Sequence, residues 1–272
     1  MLEPGVMFWA ERDDLAIIGQ LGIRYGQLGI PGGMPLDDAA AVHWKKSLAA
    51  AGITVVTVFA AYEGEDYADI PTVQRTVGFI PRATRAARQQ RTLAVSDFAA
   101  ALGVNSIACH IGFVPEEVHD PDYVAVREMV RRVCDHAAGH GQNFALETGQ
   151  ERADVLLDFI RDVDRPNLRI NFDPANLILY GTDEPIAALK KLAPLVVSVH
   201  CKDGDRPPAN IPGALGSERP LGEGSVNIPR FVQTLRELNF SGPLNVEREA
   251  EDQPQRLREI AGGIALLRSL VG

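Results

Sequence analysis

The sequence predicts an α/β fold, a single (β/α)8 TIM barrel that spans residues 1–272. Eight short runs rich in apolar and β-branched residues alternate with eight helical stretches along the chain. Strict alternation predicts a parallel sheet, and eight units predict that the sheet closes into a barrel. The length of 272 residues suits such a barrel, which needs about 250 residues. An open doubly wound sheet is the alternative, but the turn after the first strand lacks the glycines of that fold.

Each predicted strand is an apolar or β-branched run that ends at turn residues or at a helix cap. The predicted strands are Gly5–Ala10, Ile23–Ile30, Ile53–Ala60, Val104–Ile111, Asn143–Glu147, Leu168–Asp173, Leu195–Asp205 and Pro243–Glu247. Helices are predicted from Asp13 to Leu21 and over Asp37–Ala51, Arg82–Leu102, Asp120–Gly139, Glu151–Asp164, Thr182–Leu192, Ile228–Leu238 and Pro254–Leu270. Two long stretches, 61–81 and 203–226, remain irregular in this prediction. Loops of that length inside a compact domain are usually functional or mobile.

The composition limits the function. The formal net charge of −9 and the pI near 5.2 argue against non-specific binding to nucleic acid or to anionic membranes. Cys109, Cys134 and Cys201 are odd in number and share no C-x-x-C spacing. We therefore expect no disulfide framework and a reducing, cytoplasmic location. The first residues contain neither a basic segment nor a long apolar run, so we expect no signal peptide and no membrane span.

Four of the predicted strands end in residues that can bind a metal ion. Strands five to eight end in Glu147, in Asp173, in His200 and in Glu247. In a (β/α)8 barrel the carboxyl ends of the strands line one face, where the chemistry takes place. Any one of these residues alone is more simply explained as a surface or salt-bridged group. Four of them at equivalent positions on successive strands favour a shared metal ion.

A site with three carboxylates and one imidazole is rich in oxygen ligands. Such a set suits Mn²⁺, the ion that we expect, and also Mg²⁺ or Co²⁺, with Zn²⁺ as a further alternative. Six-coordination would leave two adjacent positions for the neighbouring oxygens of a hydroxy-ketone. The metal would then polarise the carbonyl and make the adjacent C–H more acidic. The sequence therefore predicts one divalent metal ion as the cofactor.

The second half of the chain resembles the xylose isomerase-like barrels, a family that includes sugar isomerases and epimerases, inosose-handling enzymes and, more remotely, endonuclease IV. The motifs that carry the resemblance are Ala145–Glu147, Asn171–Asn176, Val199–Asp203, Leu221–Gly224 and Asn245–Glu247. The resemblance implies that Glu147, Asp173, His200 and Glu247 are the metal ligands. It also implies that Glu147 and Glu247 act as acid and base on opposite faces of the substrate.

Several further residues are predicted to contact the substrate. Epimerases of this family have a substrate-binding His where this chain has Asn176, which can donate a hydrogen bond but cannot carry a proton. The substrate-binding Arg of the family corresponds to Arg206. His110 ends strand four on the ligand face, and we expect it to contact the substrate or to transfer a proton. Trp9, at the end of strand one, is predicted to form an apolar wall of a sugar site, with ordinary barrel packing as the alternative.

Two residues beside His200 are predicted to support the metal ligands from behind. Lys202 and Asp203 follow the ligand directly, and Asp203 is placed to orient the imidazole. A local ion pair between them is the alternative.

Two further histidines, His136 and His140, have the spacing of two metal ligands on one helix. Because no Glu lies between them, an exposed helix end is the preferred interpretation.

These features favour a metal-dependent isomerase or epimerase of a sugar, keto-sugar or inositol-like compound that acts through a metal-stabilised enediolate. A lyase or dehydratase acting on a 3-keto-glycoside or inosose is the alternative, because Asn176 replaces the His of the epimerases. An endonuclease-IV-like phosphodiesterase would need more histidines and a basic face, and a binding module on an inactive barrel is also possible. We expect a small carbohydrate as the partner and a homo-oligomer, either a dimer or a tetramer.

Overall fold

The predicted (β/α)8 TIM barrel is confirmed by a computed structural model, which describes residues 2–272. Eight parallel strands close into a barrel in which every strand pairs with both neighbours. They are β1 (Leu2–Trp9), β2 (Tyr25–Ile30), β3 (Thr54–Ala60), β4 (Ser106–Cys109), β5 (Asn143–Glu147), β6 (Leu168–Phe172), β7 (Val196–Cys201) and β10 (Gly242–Val246). β10 pairs with β7 and with β1, which closes the ring.

Helices follow the strands and surround the barrel. They are α1 (Leu15–Gln20), α2 (Asp38–Ala51), α3 (Ile70–Thr76), α4 (Arg85–Leu102), α5 (Pro121–Gly139), α6 (Ala153–Val163), α7 (Pro174–Leu179), α8 (Pro185–Leu192), α9 (Ile228–Glu237) and α10 (Gln253–Val271). Asp37, the residue before α2, accepts a hydrogen bond from the amide of Ala40, as an N-cap side chain does. Gly52 ends the same helix with φ +68°, a conformation that glycine adopts without a Cβ clash.

Most of the hydrophobic core lies between the outer faces of the strands and the helices. A smaller apolar cluster inside the barrel contains Met7, Phe59, Ala108 and Ala145. No helix in the described part of the chain is both long and apolar enough to cross a membrane.

A buried ion pair ties the first turn of the chain to its last helix. Asp13, just after β1, pairs with Arg256 of α10, and neither side chain is exposed. The second oxygen of Asp13 accepts the backbone N–H of Trp9 at 2.7 Å. Because a buried charge is tolerated only when it is paired and hydrogen-bonded, this contact fixes both the closure of the barrel and the end of β1.

The two stretches predicted to be irregular contain short elements. α3 lies within 61–81, and the side chain of Asp69 accepts the amide of Thr72 at its start. Within 203–226, β8 (Asp203–Asp205) pairs antiparallel with β9 (Ser217–Arg219). α7 directly follows β6, where the sequence analysis predicted no helix. These elements are too short for a periodic pattern to reveal them, although Asp69 before Pro71 is a recognisable helix start.

Candidate metal centre

The ends of β5, β6, β7 and β10 bring four ionisable residues together. Glu147, Asp173, His200 and Glu247 are all buried. Each offers one ligand atom, and these atoms lie within 4.8 Å of one another. Glu147 and His200 are strand residues, while Asp173 and Glu247 come one residue after their strands. Pro174 follows Asp173, which is extended with φ −108° and ψ 112°, as expected for a residue that precedes proline.

The imidazole of His200 faces the three carboxylates through Nδ1. This nitrogen lies 2.8 Å from Glu147 Oε1, 2.9 Å from Glu247 Oε2 and 3.6 Å from Asp173 Oδ2. The other ring nitrogen, Nε2, lies 2.8 Å from Gln27 Oε1. With its proton on Nε2, the ring donates to Gln27 and leaves a lone pair on Nδ1 for a cation. This is the arrangement of a metal-ligating histidine that is oriented by a second hydrogen bond.

A polar network inside the barrel holds Gln27 in this position. The side-chain amide of Gln27 donates to Asn171 Oδ1 at 3.0 Å, and Ser198 Oγ donates to the same oxygen at 2.6 Å. Gln27 and Asn171 are completely buried. A satisfied buried network of this kind restricts its members to one arrangement, so the orientation of His200 is set from beneath the site.

Two buried oxygens of the cluster have no hydrogen-bond partner. They are Asp173 Oδ2 and Glu247 Oε2; the latter is close to His200 Nδ1 but outside hydrogen-bond geometry. The amine of Lys202 lies 3.4 Å from Glu247 Oε2 and 3.9 Å from Asp173 Oδ2, so it offsets only part of the charge of three carboxylates. Unsatisfied buried carboxylate oxygens cost free energy. Their convergence beside an imidazole lone pair fits a divalent cation with oxygen and nitrogen ligands.

The pKa values of the cluster reflect this crowding. Burial raises the pKa of Asp173 to about 6. Burial lowers the pKa of His200, but the carboxylates of Glu247 and Glu147 outweigh it and raise that pKa well above its ordinary value. In the absence of a cation, the fold therefore favours a proton within the cluster. A metal ion would supply the positive charge in its place.

His110 forms a second contact with Glu147. It lies just after β4, and its Nε2 is 2.7 Å from Glu147 Oε2. The side-chain amide of Gln150 is 3.2 Å from its Nδ1. Burial lowers the pKa of His110, but the carboxylate of Glu147 outweighs it and raises that pKa, which favours the imidazolium form, whose Nε2–H donates to Glu147. His110 is thus placed to exchange a proton with that carboxylate.

Three of the other predicted residues lie where the sequence analysis placed them, beside the candidate metal ligands. Asn176, Trp9 and Lys202 line the same cavity as Glu147 and Glu247. The side-chain amide of Asn176 donates to Glu147 Oε1 at 3.3 Å. The indole of Trp9 donates to Glu249 Oε1 at 2.8 Å.

Asp203 and Arg206 do not take the predicted positions. The carboxylate of Asp203 accepts four backbone N–H groups, those of Gly204, Gly222, Gly224 and Val226. It organises the loop around the β8–β9 sheet and does not contact His200. Arg206 is exposed and is absent from the residues that line the cavity. A charged loop residue reveals its direction only once the loop is built, which explains both errors.

The cavity above the four candidate metal ligands has a volume of about 380 Å³. It is bounded by several side chains that the sequence did not identify, which are Phe59, Glu65, Tyr67, Leu179, Tyr180, Leu215, Glu218 and Glu249. Most belong to loops and short helices that follow the strands. Their positions have no periodic signal. We call this space the inner cavity.

A second group of potential ligands lies far from the strand ends in the sequence. His136 Nε2 and His140 Nε2 lie 2.7 and 2.8 Å from one oxygen of Asp97. Asp97 and His140 are exposed; Asp97 lies within α4, and His140 directly follows α5. The two histidines thus lie at the C-terminal end of α5 and contact Asp97 of α4.

Comparison with known proteins identifies the family. A family model described as Xylose isomerase-like TIM barrel matches residues 15–270. The protein therefore belongs to this family, as the sequence motifs indicated. The crystal structure of a xylose isomerase domain protein from Planctomyces limnophilus is similar, with 43% sequence identity and a TM-score of 0.95, over 99% of this chain and 97% of that one.

Two more distant structures share the fold. A xylose isomerase-like TIM barrel protein from Mycobacterium smegmatis, solved in complex with magnesium, has 20% identity and a TM-score of 0.70, over 94% of this chain and 86% of that one. D-psicose 3-epimerase from Clostridium cellulolyticum H10, solved with D-tagatose, has 16% identity and a TM-score of 0.69, over 98% of this chain and 99% of that one.

One curated relative has a named activity. A 3-dehydroshikimate dehydratase from Bacillus anthracis is 30% identical over 129 residues, which are 42% of this chain and 46% of that protein. The chain spans about half the length of the curated relatives it matches.

Proposed function

We propose that the protein is a divalent-metal-dependent isomerase or epimerase of a sugar, keto-sugar or inositol-like compound. The observation that carries the proposal is the pair of unsatisfied oxygens, Asp173 Oδ2 and Glu247 Oε2, that converge with His200 Nδ1 at the floor of the inner cavity. Glu147, Asp173, His200 and Glu247 would hold the metal, with Mn²⁺ as the preferred ion. The magnesium bound by the Mycobacterium smegmatis protein supports a hard divalent cation.

A bound cation would polarise the substrate carbonyl and offset the negative charge of the enediolate that follows proton removal. Glu147 and Glu247 are the proposed acid and base. Each has a neighbour that can carry a proton: His110 Nε2 lies 2.7 Å from Glu147, and Lys202 Nζ lies 3.4 Å from Glu247. Two such pairs on different strands can remove a proton at one position of the substrate and return one at another.

A lyase or dehydratase is the second candidate. It shares the proton removal and then expels an oxygen substituent from the neighbouring carbon. Asn176 supports it, because an amide can hold a leaving hydroxyl but cannot carry a proton back to carbon. The protonated Nε2 of His110 could then protonate the leaving oxygen. The similarity to the dehydratase from Bacillus anthracis also favours this reaction.

Proton exchange in D₂O tests the proposed function. The protein with added Mn²⁺ is incubated with ketoses, inososes and 3-keto-glycosides, and mass spectrometry reports deuterium on carbon. We expect exchange with at least one compound, and a loss of roughly 10²-fold or more in the Glu147→Gln and Glu247→Gln variants. Glu223→Gln, an exposed carboxylate outside the inner cavity, is the matched control and should retain full exchange.

The outcome separates the candidates. Exchange with recovery of an isomer supports the isomerase or epimerase, whereas an enone product that absorbs in the ultraviolet supports the lyase. Absence of exchange with every compound and metal, or full exchange in both glutamine variants, would refute the proposal.

A further inference from the structure

Three potential metal ligands meet outside the barrel, between the helices α4 and α5. They are Asp97 of α4, His136 in the last turn of α5, and His140, which directly follows α5. Each offers one ligand atom, and the three atoms lie within 4.8 Å of one another. This set, which we call the outer triad, shares no residue with the four candidate ligands at the strand ends.

The tertiary structure adds a third ligand to the two histidines. His136 and His140 are four residues apart, so their side chains lie on one face of the helix end. The third ligand comes from α4, 39 residues before His136 in the chain. The Nε2 atoms of His136 and His140 lie 2.7 and 2.8 Å from the same atom, Asp97 Oδ1. Two imidazole nitrogens and one carboxylate oxygen thus converge at a single place.

The spacing of the three atoms is close to that of a coordination shell. Bonds from Zn²⁺ to nitrogen or oxygen ligands are about 2.0–2.1 Å long, so neighbouring ligand atoms of a tetrahedral site lie about 3.3 Å apart. The ligand atoms of the outer triad would need to separate by about 0.5 Å to admit such an ion. The side chains of His136, His140 and Asp97 are 32%, 36% and 57% exposed. Rotation of these side chains can therefore supply the space without disturbing the core.

The backbone that carries the outer triad is held firmly. Ser96, the neighbour of Asp97, donates from Oγ to Gln142 Oε1 at 2.6 Å, and the side-chain amide of Gln142 donates back to the carbonyl of Ser96 at 3.1 Å. Ser96 and Gln142 are both buried. On α5, four residues before the first histidine, Arg132 donates to Gln89 Oε1 of α4. The spacing of the two helices is thus fixed, and a metal ion would not need to order them.

No lysine or arginine competes with a metal ion for the carboxylate. Within residues 2–272, the two histidines are the only basic side chains within salt-bridge distance of Asp97. A neutral imidazole can move its proton from Nε2 to Nδ1, which turns Nε2 from a hydrogen-bond donor into a lone pair for a cation. The exposed edges of the two rings leave water free to accept the displaced N–H. The outer triad can thus change from a hydrogen-bonded to a metal-bound state without losing a partner.

We propose that the outer triad binds a Zn²⁺ ion and thereby joins α4 to α5. Two imidazoles and one carboxylate form a three-ligand zinc site with an open fourth position, which water would fill on this exposed surface. Imidazole ligands suit Zn²⁺, whereas carboxylate ligands suit Mn²⁺ and Mg²⁺. The outer triad therefore differs in its preferred ion from the oxygen-rich cluster at the strand ends. It lies outside the inner cavity, so the proposal does not depend on the proposed function.

Equilibrium dialysis against micromolar Zn²⁺, followed by metal analysis, tests the site. Loss of a residue that only supports a ligand weakens metal binding by about 10–100-fold, so loss of a ligand itself should weaken it by roughly 100-fold or more. We therefore expect the wild type to bind one more Zn²⁺ per chain than the His136→Ala and Asp97→Ala variants. This difference is the same whether or not the strand-end cluster also takes up Zn²⁺. His43→Ala, at an exposed histidine of α2, is the matched control and should bind as many ions as the wild type.

Thermal unfolding supplies a second measurement. In EDTA the variants should unfold within about 2 °C of the wild type, because exposed ion pairs contribute little to stability. Zn²⁺ at 100 times its Kd for the outer triad should raise the Tm of the wild type by about 5 °C more than that of His136→Ala. With Mn²⁺ in place of Zn²⁺, the wild type and the variants should bind equal numbers of ions. Equal Zn²⁺ binding by the wild type and both variants, an equal loss in His43→Ala, or the same difference with Mn²⁺ would overturn the proposal.

Discussion

Replacement of Asp173 by Asn should stabilise the metal-free protein. The side chain is completely buried, Oδ1 accepts the amide of Asn176 at the start of α7, and Oδ2 has no partner. Asn keeps the cap, since Asn and Asp are equivalent at this position of a helix. An amide also removes one negative charge from the cluster. Because burial raises the pKa of Asp173 from 3.8 to about 6, ionisation of this residue costs the fold about 3 kcal/mol at pH 8.

The sign of this effect depends on pH and on the metal. The penalty is present above pH 6, where Asp173 is ionised in the folded state, and it disappears as the pH falls towards 4. The advantage of Asp173→Asn should therefore be about 3 kcal/mol at pH 8, or about 5–10 °C in Tm, and close to zero at pH 4. Mn²⁺ at 100 times its Kd should stabilise the wild type by about 2.7 kcal/mol. It should have little effect on the variant, so that the difference between the two proteins nearly vanishes.

Thermal unfolding followed by circular dichroism, with EDTA or with Mn²⁺ at pH 4 and pH 8, measures these differences. Asp158→Asn is the control, because Asp158 is a largely exposed residue of α6. The reasoning is refuted if metal-free Asp173→Asn is less stable than the wild type at pH 8. It is also refuted if Mn²⁺ raises the Tm of both proteins equally, since Asp173 would then contribute nothing to the ion.

Three further changes test other parts of the structure. Asp13→Asn leaves the buried guanidinium of Arg256 without its charge partner and should cost about 3–5 kcal/mol in urea unfolding; a cost below 1 kcal/mol would contradict the role of this pair in closing the barrel. Burial raises the pKa of Glu151 from 4.5 to about 7, so Glu151→Gln should be about 3 kcal/mol more stable than the wild type at pH 8.5 and equal to it at pH 4. A constant difference across this range would exclude Glu151 as its source. Asp203→Ala removes the acceptor of four backbone N–H groups and should speed limited proteolysis within 204–226 by roughly tenfold or more, whereas unchanged cleavage would show that β8 and β9 hold the loop alone.

The positions of the four candidate metal ligands were accessible from the sequence because strand ends are regular. In a parallel barrel the ends of β5, β6, β7 and β10 lie at one face, so the position of Glu147, Asp173, His200 and Glu247 along the chain also places them in space. His110 was accessible for the same reason. Lys202 follows the strand directly and keeps its direction towards the carboxylates.

Residues outside this regular pattern could not be placed. Asp203 and Lys202 are adjacent in the sequence, yet Lys202 faces the carboxylates of the candidate metal site and Asp203 accepts hydrogen bonds from the loop amides. Arg206, three residues further, is exposed. Gln27 orients His200 from inside the barrel and is itself held by Asn171, but as single polar residues within strands they gave no signal of this role.

The sequence by itself determined the barrel, the strands that carry the cluster and the identity of the four candidate ligands. Alternation of strands and helices and the position of each strand end are local properties, and local patterns report them. The tertiary structure alone decided that His200 presents Nδ1 to the carboxylates and that His110 bonds to Glu147. Those features depend on side-chain directions and on contacts between residues far apart in the sequence, such as His200 and Gln27, which no local pattern records.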